Sequence, residues 1–388
     1  MNGRRLSNQR RKVGNAGVCG HGARIVALTW LGVNAGCARP PITPIVEPVG
    51  WAQYLGTPSR AVSAEEMLPA PLTPRWEISI GKTTAGGIAV GEHVVAILSL
   101  DRHLTVVRRE TGAPLWRRRL NAAGATGTLI IGSRILAGTG GPRGRVYSLD
   151  LNGGSVEWDA EVGPLLDPLA AASDRVIAAT EGGGIVALDA ATGLVHWRRA
   201  LGGAVRTGPV VVDAFALVAT DDSLMYLSLE SGVTQVAVAS HGATIAPPAM
   251  TDDAVIVASP DGYVIALARD NLRLRWKVAV RGAIFGSPAV ARDTVFAVTV
   301  DGDLWAIPLG NPDGATAVSL NVVVRATPAP LAGGILVGTV TGTVLYAGLD
   351  GQPATAALQV DGAVEQQPIL HRGTLLVVDG RGKVYAWQ

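Results

Sequence analysis

From residue 75 onward the apolar positions come in short bursts of four to eight residues, rich in Val, Ile, Leu and Ala. Each burst ends in a cluster of Asp and Gly. No window sustains the 3.6-residue spacing of an amphipathic helix, so the bursts read as strands and the clusters as turns. The clearest unit runs from the turn Asp174-Arg175 into a strand over 176–180. It turns again at Glu181-Gly182-Gly183-Gly184 into a strand over 185–188, then at Asp189 through Gly193 into the strand holding Trp197. Asp opening a turn can accept from backbone N–H groups, and Gly closing it supplies a positive φ. The same grammar returns at Asp261-Gly262-Tyr263 and Asp301-Gly302-Asp303.

The pattern repeats at a period near 40 residues. Prolines recur at Pro168, Pro209, Pro248, Pro288, Pro328 and Pro368. Glycines recur at Gly182, Gly262, Gly302, Gly342 and Gly382, with Asp222 at the remaining phase. Tryptophans recur at Trp76, Trp116, Trp158, Trp197 and Trp276, and Val236, Val318 and Leu358 hold the other phases, which gives eight docking positions. A four-stranded unit repeated this way can close radially and leave only short edges. The last unit, 366–388, has three strands, while 75–80 is an unattached docking strand at the front. The expected fold is therefore all-β: an eight-bladed propeller of four-stranded blades over 75–388, its ring closed by the N-terminal strand. An open solenoid or two sandwiches are the alternatives.

Charge and cysteine content divide the chain. The formal net charge is +2, but residues 1–36 carry six basic residues and no acidic one, which leaves 27 basic against 31 acidic in the rest. The body is no polycation for nucleic acid. The apolar run 25–33 follows the basic stretch and leads to Asn34-Ala35-Gly36-Cys37, the order of a secretory signal. Nine apolar residues fall short of the roughly 20 that span a bilayer. Ala-Gly-Cys resembles a bacterial lipobox, although Asn34 stands where that pattern prefers Leu, Val or Ile. It implies lipidation at Cys37 after removal of 1–36, and Ala38 after it implies sorting to the outer membrane. A soluble periplasmic or secreted product is the alternative. Residues 38–74 hold eight prolines, and 37–74 read as an extended tether.

The stretch Ala187-Leu188-Asp189-Ala190-Ala191-Thr192-Gly193-Leu194-Val195-His196-Trp197 resembles the tryptophan-docking motif of the quinoprotein (PQQ-like) propeller repeat. Weaker copies end at Trp116 and Trp158. With the lipobox and the chain length, the repeat resembles the BamB family of outer-membrane β-barrel assembly lipoproteins. That resemblance implies a non-catalytic scaffold, a monomer within a larger complex, that binds periplasmic POTRA domains of a BamA-like protein through loops on one face. The comparable loops here are 203–207 and 241–245, and only Arg206 suggests the family's basic contact. A PQQ-dependent dehydrogenase, or a glycan- or ligand-binding propeller, is the alternative function.

The residues themselves offer little chemistry. His93, His103, His196, His241 and His371 are scattered through the repeat, with no HExxH or HxH spacing. Asp221-Asp222, Asp252-Asp253 and Asp301-Gly302-Asp303 lie at expected hairpin turns without EF-hand spacing. Both cysteines, Cys19 and Cys37, precede the body, and no GxSxG, P-loop or SxxK stretch occurs. No catalytic residue, metal site or cofactor is expected.

Overall fold

Among the described residues the apolar bursts form 32 strands in eight antiparallel sheets of four. The computed structural model describes residues 66–172, 174–240, 245–348 and 353–388. Cys37, the signal-like segment, most of the Pro-rich stretch and His241 lie outside the described residues. One short 3-10 turn, Pro312–Gly314, is the only helical element among the described residues, and no helix there is long and apolar enough to cross a membrane.

Blades 1 to 7 each take four consecutive strands. Blade 3, for example, is Leu165–Ala172, Arg175–Thr180, Gly184–Asp189 and Val195–Ala200 in that spatial order. Middle strands such as Val94–Leu98 are buried throughout, because each blade is covered by a neighbour on both faces. They therefore read as unbroken apolar runs, whereas outer strands such as Leu274–Ala279 alternate.

Eight apolar clusters, each shared by two successive blades, carry the chain around the ring. Leu98 and Leu104 of blade 1 meet Ile135 and Leu149 of blade 2, and the same happens at every later seam. The last cluster joins Leu376 and Val384 of blade 8 to Ile97 and Val107 of blade 1. The fold is an eight-bladed propeller, closed as expected.

Closure is made by both termini. Pro74–Ser79 pairs antiparallel with Lys383–Trp387, setting Trp76 opposite Ala386 and Ile78 opposite Val384. Thr73 and Gln388 exchange backbone hydrogen bonds at 2.8 and 2.9 Å beyond the strand. Contact begins even earlier. The Glu66 carboxylate accepts from the backbone N–H groups of Arg372 and Gly373, both at 2.8 Å. The Glu66 carbonyl accepts from Ala332 N, and Leu68 and Leu72 pack on the core between blades 7 and 8. Residues 66–73, read from composition as tether, are thus held against the ring.

The docking tryptophans follow one geometry. Trp76, Trp116, Trp158 and Trp197 donate through Nε1 to the carbonyls of Arg109, Leu151, Ala190 and Leu229 in the next blade, at 2.7–3.1 Å. Three residues beyond each acceptor stands a glycine of positive φ: Gly112, Gly154, Gly193 and Gly232. Each lies under the indole, where a Cβ would come within 2.4–2.7 Å of the ring. Trp276 belongs to the same core as Leu309 and Ala315, and its strand meets the 3-10 turn Pro312–Gly314, which stands in place of the glycine turn.

A further period-40 feature accompanies Pro, Gly and Trp. Ser99, Thr139, Thr180, Thr220, Ser259, Thr299, Thr339 and Asp379 close the second strand or open the following turn of all eight blades, all buried. Each side-chain oxygen bonds the backbone of the turn to the third strand. In the glycine series one position shifts: the positive φ of blade 3 falls on Gly183, at 76°, rather than on Gly182.

Candidate functional site

Antiparallel strands place the turns between strands one and two, and three and four, on one face of the ring. The turns between strands two and three, and the connections between blades, lie on the other, called here the loop face. Four connections on the loop face are each pinned by a buried apolar residue: Val205, Ile284, Val324 and Val364 are at most 3% exposed. Val205 is also bridged to Thr220 of its own blade. The residue after each anchor points outward, and these are Arg206, Phe285, Arg325 and Glu365. The three preceding connections carry Ala85, Ala125 and Leu166 at the matching places. Large and charged side chains therefore crowd one part of a ring whose scaffold is otherwise periodic.

Arg206 projects between buried Val205 and Thr207 with 54% of its side chain exposed. Its guanidinium makes a two-pronged pair with Asp221, at 2.7 and 3.2 Å. That hydrogen bond holds the Asp221 carboxyl below the ordinary carboxylate range and pushes the Arg206 guanidinium up. Arg325 approaches Glu365 at 3.6 Å, both largely exposed. Phe285 and Val323 are 48% and 45% exposed. Cations held by one acidic partner and bare apolar side chains on one face can serve a protein partner: apolar area supplies contact and the pairs supply register. Of these residues the sequence reading singles out Arg206 alone. The signal for the others is their shared phase, one residue past an apolar anchor.

The described histidines join no group of metal donors. His103 pairs with Asp101 at 3.2 Å and His196 with Asp189 at 3.4 Å, each within its own hairpin. Asp221-Asp222, Asp252-Asp253 and Asp301 lie at turns. Among the described residues no three His, Cys, Asp or Glu side chains converge as metal ligands do.

Comparison with known proteins identifies this arrangement. The sequence profile described as outer membrane protein assembly factor BamB matches residues 142–236 and 227–388, more than half of the chain. The chain belongs to the BamB family. The crystal structure of BamB from Moraxella catarrhalis superposes with a TM-score of 0.70 at 20% identity, covering 82% of this chain and 99% of that one. A computationally designed protein, Ika8, superposes at 0.66 with 15% identity, covering 84% of this chain and 99% of its own. Quinohemoprotein alcohol dehydrogenase from Comamonas testosteroni reaches 0.71 at 12% identity, covering 87% of this chain and 80% of its own. No curated protein matches by sequence. The same ring thus carries a BamB, a designed protein and an enzyme, and chemistry has to be argued from side chains. The described residues of this BamB-family chain assemble no cluster of metal donors.

Proposed function

We propose that this BamB-family chain is a non-catalytic interaction scaffold. It is held at the periplasmic side of the outer membrane through a lipid on Cys37, and it presents its loop face to the periplasmic POTRA domains of a BamA-like barrel-assembly protein. The observation that carries the reading is the outward series Arg206, Phe285 and Arg325 on connections whose neighbours are buried. Mechanism is rigid presentation: blades fix the connections, so little ordering entropy is lost when a partner docks. Specific stable interfaces bury about 1,200–2,000 Å², and weaker transient ones less.

Titration calorimetry with the soluble POTRA region of the cell's own BamA-like protein tests the reading. Saturable binding is expected, weakened about tenfold or more by Arg206→Glu with Phe285→Ala, a loss of at least about 1.4 kcal/mol. The anchor is tested separately: Cys37→Ser should release the protein from the membrane fraction, since stable anchoring takes more than one acyl chain. Alcohol- or sugar-dependent dye reduction after addition of PQQ and calcium would overturn the scaffold reading in favour of an enzyme.

A further inference from the structure

On the face opposite the loops, the seam between blades 4 and 5 breaks the docking rule. Val236 holds the place of the indole. Leu272, at φ 57° and 1% exposed, holds the place of the turn glycine. Tyr226, the cross-strand partner of Val236, donates its hydroxyl to the Arg269 carbonyl at 2.7 Å. Arg269 lies three residues ahead of Leu272, as the indole acceptors lie ahead of their glycines. The hydrogen bond is kept, but the ring that makes it now comes from the third strand and is 3% exposed.

A cleft of about 590 Å³ lies at the vacated outer position, with Val212, Phe215, Tyr226 and Val236 among its walls. A second cleft, of about 600 Å³ between blades 3 and 4, shares Asp213, Phe215 and Gln235 with it. Both volumes fall in the range of ligand sites. Six carboxylates against three arginines line the pair. Asp213 and Asp253 are taken by Arg269 and Arg275. Asp252, Asp270 and Glu230 are exposed and make no ion pair among the described residues.

We propose that this double cleft is a second docking site, independent of the loop face, for an extended protein segment carrying an aromatic side chain flanked by lysine or arginine. The aromatic ring packs on the cleft walls Phe215, Tyr226 and Val236, beside the place that an indole of this chain fills at five other seams. The basic flanks meet Asp252, Asp270 and Glu230. Apolar walls give the ring its contact area, while exposed carboxylates speed encounter and make it sensitive to salt.

The test is fluorescence anisotropy with a labelled peptide, Lys-Lys-Gly-Gly-Trp-Gly-Gly-Lys-Lys, titrated with the full chain. Saturable binding is expected. It should weaken about tenfold or more when the peptide Trp becomes Ala, and again when the protein carries Asp252→Lys with Asp270→Lys. Those two side chains are exposed, so the melting temperature should hold. Val236→Trp combined with Leu272→Gly rebuilds the indole seam and should block the peptide. Arg206→Glu should leave peptide binding unchanged, which separates this site from the loop face. No saturation by about 1 mM protein, equal binding of the Ala peptide, or full affinity in the Asp252→Lys/Asp270→Lys protein would overturn the proposal.

Discussion

Gly193 lies so close under the indole of Trp158 that a β-carbon there would stand 2.4 Å from the ring. Its φ of 72° adds the left-handed penalty of any residue with a β-carbon, about 1–2 kcal/mol. Overpacking of this kind costs roughly 1–3 kcal/mol more. Gly193→Ala should therefore lower the denaturant midpoint markedly. Gly182→Ala, where a β-carbon meets nothing within 4 Å, should stay within about 0.5 kcal/mol of the parent. Equal shifts for the two would contradict the docking geometry.

The buried hydroxyls yield a second expectation. Thr339 donates to the Thr343 carbonyl at 2.8 Å and accepts from Thr343 N at 3.0 Å. Thr339→Val keeps the shape and removes the acceptor of Thr343 N, while the Thr343 carbonyl keeps the Thr339 N–H as donor at 3.0 Å, at a cost of about 1–3 kcal/mol. Thr339→Ser keeps the oxygen and should cost much less. Chemical denaturation of the two variants side by side decides whether the hydroxyl or the volume matters.

Ring closure is testable from the front of the chain. Deleting 74–79 removes the strand that covers Lys383–Trp387 and leaves a bare edge. Aggregation or gross destabilisation should follow, measured by light scattering and melting. Glu66→Ala removes the acceptor for Arg372 N and Gly373 N, and with it the carboxylate charge that acts on His371. It should leave a monomer with a modest loss, roughly 1–2 kcal/mol. If the deletion melts like the parent, the termini do not clasp the ring.

His371 supplies the pH dependence. Burial pushes its imidazole below the ordinary value of 6.5, with Glu66 pulling the other way and Arg109 and Arg372 adding to the depression. The unfolded chain therefore takes up a proton at a pH where the folded chain does not. Stability is unaffected above about pH 6.5 and falls as pH drops below it, until the folded form protonates too. Melting temperatures from pH 8 down to about 5 should decline less steeply in His371→Gln. An unchanged slope in that variant would place the pH response elsewhere.

The ring was legible in the sequence because its punctuation is dictated by backbone physics. Proline, turn glycine and docking tryptophan each answer a local demand that recurs every 40 residues, so their spacing counts the blades. The orphan strand was legible for the same reason: a unit of three strands and a strand without a unit fit each other. The Glu66 clasp was not, because its bonds go to backbone N–H groups more than 300 residues away, and the prolines around it mimic a free linker. The loop face was half legible. Arg206 stands out by charge, whereas Phe285 looks like one more apolar residue until its neighbour Ile284 is seen to take the buried place. The exchange of Tyr226 for an indole was hidden because the substitution is split over two strands and a turn, with Val236, Tyr226 and Leu272 each unremarkable alone.

The clasp also decides how the molecule carries load. Tension applied at residue 66 does not reach the blades first. It is met by three hydrogen bonds onto Glu66, two from Arg372 N and Gly373 N to its carboxylate and one from Ala332 N to its carbonyl, which span blades 7 and 8. Only when they yield does the pull arrive at the Thr73–Gln388 pair and begin to peel Pro74–Ser79 from Lys383–Trp387 one residue at a time. Blades 2 to 6 lie off that line of force. Mechanical failure would therefore begin at the joint between the two ends of the chain, leaving the middle of the ring and the connections that bear Arg206 and Phe285 unstrained.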